Sequence, residues 1–172
     1  PYSLTTLFAI GSLYATAATG QQNTVLPDYP NSYEIVRDVV EMPAGRQMGS
    51  GNAIDIDSRG NVWVFERCGG NNGACPESDV DPVLQFSPEG KLLSSFGSGL
   101  FVWPHGIVVD EDDNLWIIDA GVIEGEKGNQ IFKFTQDGTL LLELGEPGVR
   151  GDGPGQFNEP SDLAFGPDGT LY

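Results

Sequence analysis

The sequence predicts an all-β protein, a β-propeller built of four-stranded blades. Three observations carry this. First, the unit Ala53-Ile54-Asp55-Ile56-Asp57-Ser58-Arg59-Gly60-Asn61-Val62-Trp63-Val64 returns without a gap as Gly106-Ile107-Val108-Val109-Asp110-Glu111-Asp112-Asp113-Asn114-Leu115-Trp116-Ile117, and begins again at Asp162-Leu163-Ala164-Phe165-Gly166-Pro167-Asp168-Gly169-Thr170-Leu171-Tyr172. Second, Val83 to Leu92 resembles Ile131 to Leu140, and both read as short alternating runs joined by a turn containing glycine. Third, no helix-period pattern of useful length appears. Two hairpins per period make a blade.

Residues 1–20 read as a signal peptide remnant. Leu4 to Ala18 is apolar, uncharged and too short to span a bilayer, and Ala15-Thr16-Ala17 has the small-x-small form of a signal-peptidase site. The opening Pro1, with no Met and no basic residue, gives the expectation of a truncated N-terminus. Residues 21–51 form a lead segment in which Tyr33 to Val40 reads as an outer, ring-closing strand. Residues 52–172 hold an incomplete propeller. Blade one runs from about Asn52 to Gly97 and blade two from about Pro104 to Gly145. Blade three starts near Pro160 and stops at Tyr172 inside its second strand, which gives the expectation that the C-terminus is truncated too. The Gly/Pro-rich run Gly145 to Gly155 reads as a connection between blades.

The charge is −17, from 25 Asp and Glu against 8 Lys and Arg. Such a balance repels phosphate backbones, so no nucleic-acid partner is expected. It suits a soluble protein, a cationic ligand or bound calcium. No stable membrane insertion is expected either. The 24 glycines and 12 prolines fit frequent turns. Cys68 and Cys75 are the only cysteines, and in an exported protein they are expected to pair. Asp110-Glu111-Asp112-Asp113-Asn114 resembles the opening of a calcium loop but lacks the later Gly and Glu, and reads as the turn of a hairpin.

Asn52, His105 and Ser161 fill the same slot, the start of each inner strand. That end faces the central channel at one rim of a propeller. His105, the only histidine, can serve there as a metal ligand or simply as a solvated or capping side chain. Arg67 ends the second strand of blade one, so antiparallel pairing puts it on the same rim, in the adjacent blade. It can stabilise an oxyanion, or form an ion pair with Glu66 or another carboxylate.

The runs Asn61-Val62-Trp63-Val64-Phe65-Glu66-Arg67, Gly99-Leu100-Phe101-Val102-Trp103-Pro104-His105-Gly106-Ile107 and Gly155-Gln156-Phe157-Asn158-Glu159-Pro160-Ser161-Asp162 carry a resemblance. From about Tyr33 to Tyr172 the chain is similar to the catalytic core of peptidyl-α-hydroxyglycine α-amidating lyase, and to bacterial NHL-repeat proteins named after it. The resemblance implies a six-bladed propeller with a zinc ion on three histidines and a structural calcium ion. It implies cleavage of a peptidyl-α-hydroxyglycine to a peptide amide and glyoxylate. His105 matches the first zinc histidine and Arg67 the active-site arginine. Ile54 and Ile107 match positions whose backbone carbonyls hold calcium. The remaining histidines, the calcium aspartate and the catalytic tyrosine would lie beyond Tyr172. The Cys68–Cys75 loop departs from the animal enzymes.

Three functions are compatible with these residues: a zinc-dependent lyase acting on a peptide or small-molecule substrate; a non-catalytic NHL-repeat scaffold binding a peptide or protein; and a calcium-dependent lactonase-type propeller. In each case the protein is expected to be secreted or periplasmic.

Overall fold

The computed structural model describes residues 33–70 and 75–172. The signal peptide remnant and the lead segment up to residue 32 lie outside the described residues. The chain divides into two units, Pro1–Ile35 and Val36–Tyr172. The second unit holds every strand found among the described residues.

Its strands are β1 (Gly51–Ile56), β2 (Val62–Glu66), β3 (Val83–Phe86), β4 (Leu92–Phe96), β5 (Pro104–Val109), β6 (Leu115–Ile123), β7 (Lys127–Phe134) and β8 (Leu140–Leu144). They form two antiparallel sheets in the orders β1-β2-β3-β4 and β5-β6-β7-β8. These are the two blades, and no helix occurs among the described residues. A third blade begins with the isolated bridge Phe165↔Leu171.

The middle strands are apolar on both faces because both faces are covered. Trp63, Phe65 and Val83 of blade one pack against Phe101, Ile107, Leu115, Ile117 and Phe134 of blade two. The next layer joins Trp116, Ile118 and Ile131 to Leu163 of blade three. On the far face of blade one, Val64, Leu84 and Phe86 are covered by Val40, Met42 and Met48.

The first hairpin of each blade turns on one aspartate. In blade one, Asp57 Oδ1 accepts the Arg59 and Asn61 N–H groups, and Oδ2 accepts the Trp63 indole N–H at 3.3 Å. In blade two, Asp110 Oδ1 accepts the Asp112 and Asn114 N–H groups, and Oδ2 accepts the Trp116 indole at 3.0 Å. The acidic run from Asp110 is therefore a hairpin turn, as its sequence reads. At the left-handed position Gly60 has φ 83° and Asp113 φ 62°, a conformation that aspartate tolerates better than most residues.

Tyr33 to Val40 is irregular backbone, and among the described residues there is no last blade for a ring-closing strand to complete. The only ladder contact nearby is a parallel bridge, Glu41↔Lys91. β-branched residues favour a strand only where an edge is there to pair with. The far face of blade one is instead capped by irregular backbone, through Val40, Met42 and Met48.

Candidate functional site

Each second strand carries a carboxylate that is fully buried, Glu66 at the end of β2 and Asp119 within β6. They hold equivalent places, since Glu66 pairs with Gly51 and Asp119 with Pro104. Both turn their oxygens on the backbone that leads into the inner strand. Glu66 Oε2 accepts the N–H groups of Gly49 at 2.6 Å and Gly69 at 2.8 Å. Asp119 accepts Val102 N–H at 2.8 Å and Trp103 N–H at 2.6 Å, with Gly121 N–H at 3.3 Å. Burial pushes the Asp119 carboxyl above its ordinary value, against the pull of these three donors.

The segment that Asp119 anchors carries the candidate site. Val102 C=O accepts the N–H of Cys75 at 2.9 Å, and Trp103 C=O accepts that of Ala120 at 3.1 Å. All four backbone groups of Val102–Trp103 are thus tied. Gly121 makes room for them, since a Cβ there would stand 2.6 Å from both Val102 Cγ1 and Trp103 Cβ. Two residues on, His105 opens β5.

The shared slot has a structural logic. Asn52 Nδ2 donates to the His105 carbonyl at 2.6 Å, and His105 Nδ1 lies 2.7 Å from the Ser161 carbonyl. A carbonyl only accepts, so Nδ1 carries a proton, and in the neutral ring Nε2 is then the nitrogen with the lone pair. Nε2 has no hydrogen-bond partner among the described residues. Gly106 permits the approach of Ser161, because a Cβ would meet that carbonyl oxygen at 3.1 Å. The half-buried imidazole lines a cleft of about 660 Å³ with Val102, Trp103, Val122, Arg150 and Glu159. Arg150 and Glu159 are paired across it at 2.7 Å.

Arg67 follows β2, and its N–H donates to the Ser50 carbonyl at 3.2 Å. It does not pair with Glu66, whose partner is Arg46 at 2.7 Å. Among the described residues no carboxylate lies within ion-pair distance of Arg67. Its guanidinium sits 4.7 Å from the centre of the Trp103 ring, and its Nε is buried without a hydrogen bond. Arg67 does not line the His105 cleft; it touches that cleft through Trp103.

Cys68 and Cys75 form a disulfide beside Arg67, with Cα atoms 5.5 Å apart. Ile54 and Ile107 occupy equivalent ladder positions opposite Val64 and Ile117, with Ile107 in the core and Ile54 exposed. Among the described residues no three His, Cys, Asp or Glu side chains come together in a group that could hold a metal ion. Sequence reasoning missed Trp103, the Ser161 carbonyl and the two buried carboxylates. Trp103 stood inside a motif already singled out, and Glu66 and Asp119 are related by the repeat.

No protein-family model matches the chain. Several curated relatives do, three of which follow. A Caenorhabditis elegans protein named probable peptidyl-alpha-hydroxyglycine alpha-amidating lyase pgal-1 is 24% identical over 74% of this chain and 38% of its own length. Peptidyl-alpha-hydroxyglycine alpha-amidating lyase 1 of Drosophila melanogaster is 29% identical over 73% of the chain and 25% of its length. NHL repeat-containing protein 3 of Mus musculus is 32% identical over 72% of the chain and 34% of its length. The chain therefore spans between a quarter and two fifths of these relatives. Among solved structures, an inactive virginiamycin B lyase of Staphylococcus aureus with quinupristin overlaps at a TM-score of 0.48, with 16% identity over 75% of this chain and 35% of that one. In sequence this chain is thus similar to α-amidating lyases and NHL-repeat proteins.

Proposed function

We propose that the chain is part of a metal-dependent lyase that splits the N–C bond of a peptidyl-α-hydroxyglycine, giving a peptide amide and glyoxylate. One observation carries the reading: the His105 imidazole is fixed through Nδ1, has no hydrogen-bond partner on Nε2 among the described residues, and lines a cleft together with Trp103. The names of the relatives support it at the level of the reaction class.

In the reaction the hydroxyl proton leaves and its bonding pair becomes the carbonyl of glyoxylate. The C–N pair passes to nitrogen, which takes up a proton. Arg67, with no carboxylate to neutralise it, would hold a substrate oxygen and stabilise charge building on it. Ser161 would orient His105 through its carbonyl. Zinc, which the resemblance implies, would be held here through His105 Nε2 and supplies Lewis-acid polarisation of the hydroxyl oxygen when bound. A structural calcium ion would draw on the carbonyls of Ile54 and Ile107. The disulfide fits a site of action outside the cytosol, secreted or periplasmic.

A second reading, a peptide- or protein-binding scaffold, has one observation in its favour. The highest identity among the three relatives is to a protein named only for its repeats. Release of glyoxylate from a synthetic peptidyl-α-hydroxyglycine, measured on the intact protein and on H105A, separates the two. Turnover that depends on His105 supports the lyase, and its absence in the metal-loaded protein supports the scaffold.

A further inference from the structure

We propose that Trp103 is the positioning residue for Arg67, a shelf that sets where the guanidinium stands at the edge of the His105 cleft. The proposal rests on the lyase reading for its kinetic consequence, but its geometry is independent of that reading.

An arginine is ordinarily fixed by carboxylates or carbonyls. Arg67 has neither kind of partner on its Nε and no carboxylate among the described residues. What it has is an aromatic face, 4.7 Å from the guanidinium carbon to the ring centre. Contact with an aromatic face attracts a cation without neutralising it. An arginine held in this way keeps its terminal guanidinium N–H donors, as distinct from the buried Nε, for an incoming anion.

The shelf itself is rigid. Asp119 binds the N–H groups of Val102 and Trp103, and Cys75 and Ala120 bind their carbonyls. The chain then passes through Pro104 to His105, so ring and imidazole hang from one short stretch of backbone whose Val102 and Trp103 groups are all tied. The tie from Cys75 also links this stretch to the disulfide that follows Arg67. Trp103 remains 38% exposed, so part of its ring is open to the cleft while it supports Arg67.

The contact is of the size that cation–π pairs reach when partly desolvated. Losing it should cost roughly three- to thirtyfold in turnover if Arg67 acts on substrate. In the intact, metal-loaded protein, W103A should lower kcat for glyoxylate release by that factor, and W103F should restore most of it. In an R67A background the W103A substitution should add almost nothing, because the two residues act as one unit. An undiminished W103A effect in R67A would overturn the proposal. A second measurement does not need turnover. The Arg67 Nε–Hε resonance should be shifted upfield by the indole ring current, and the shift should vanish in W103A and persist in part in W103F. The His105 nitrogen resonances should stay in place. If the wild-type protein releases no glyoxylate, the lyase reading falls and this resonance alone decides the shelf; an Arg67 signal identical in wild type and W103A would refute it.

Discussion

His105 Nδ1 lies 2.7 Å from the carbonyl oxygen of Ser161, at the slot where, one blade earlier, Asn52 Nδ2 lies 2.6 Å from the carbonyl of His105 itself. Asn52 and His105 therefore each bond to the next blade's backbone. In blade two the bond also leaves one imidazole nitrogen free. A structural link between blades has become the device that orients a potential metal ligand.

Asparagine already makes this link in blade one, so it should make it in blade two. H105A is expected to cost about 1 kcal/mol of unfolding free energy, the net value of one hydrogen bond, and H105N should recover most of that. Both should abolish glyoxylate release. Urea denaturation beside the activity assay reads the separation. Equal stability losses in H105A and H105N would contradict the link.

Gly106→Ala should disturb the same bond from the other side. The new Cβ would meet Ile118 Cδ1 at 2.8 Å and the Ser161 carbonyl oxygen at 3.1 Å. The Ile118 methyl can turn away, but the carbonyl is backbone and must shift with its strand. A loss of about 1–3 kcal/mol is expected, with a changed His105 Nδ1–H resonance. A neutral substitution with that resonance unmoved would show that blade three does not approach so closely.

Arg46 and Arg67 should respond in opposite ways. R46A leaves the fully buried Glu66 without its cationic partner and should cost about 3 kcal/mol. R67A strands no carboxylate and should cost under about 1 kcal/mol while impairing catalysis. Thermal unfolding of the two variants decides this, and the reverse order would mean that Glu66 pairs with Arg67 in solution.

Asp57 gives the fold an acid limit. Burial alone would raise its carboxyl, but hydrogen bonds from Asn61, Trp63 and Arg59 outweigh that and lower it from 3.8 to about 2. Because the folded value is depressed, the stabilisation is complete above about pH 4 and is lost as pH falls towards 2. It amounts to about 2 kcal/mol. Denaturation followed between pH 5 and pH 2 should show this slope in wild type and a shallower one in D57N.

The blades were legible because their signals are local and periodic. Trp63 and Trp116 mark the same strand, and the Asp57 and Asp110 turns precede them at the same spacing. The shared slot of Asn52, His105 and Ser161 was legible by the same alignment. What it does was not, because the acceptors are backbone carbonyls of the next blade, which leave no trace in side-chain identity. The choice of Arg46 over Arg67 as the partner of Glu66 was hidden because Arg46 sits in irregular chain outside the repeat. Tyr33 to Val40 shows the other side of this. Its apolar, β-branched pattern is a strand signal, but pairing needs an edge as well as a pattern.

The central claim is that His105 and Arg67 serve one reaction, the release of glyoxylate from a peptidyl-α-hydroxyglycine. The direct measurement is glyoxylate formation by the intact, metal-loaded protein, with bound zinc assayed in parallel for wild type, H105A and R67A. The account predicts turnover in wild type, loss of both zinc and turnover in H105A, and retained zinc with slowed turnover in R67A. A wild-type protein that binds zinc through His105 and releases no glyoxylate would contradict the substrate assignment, and one that neither binds zinc nor turns over would contradict the lyase reading altogether.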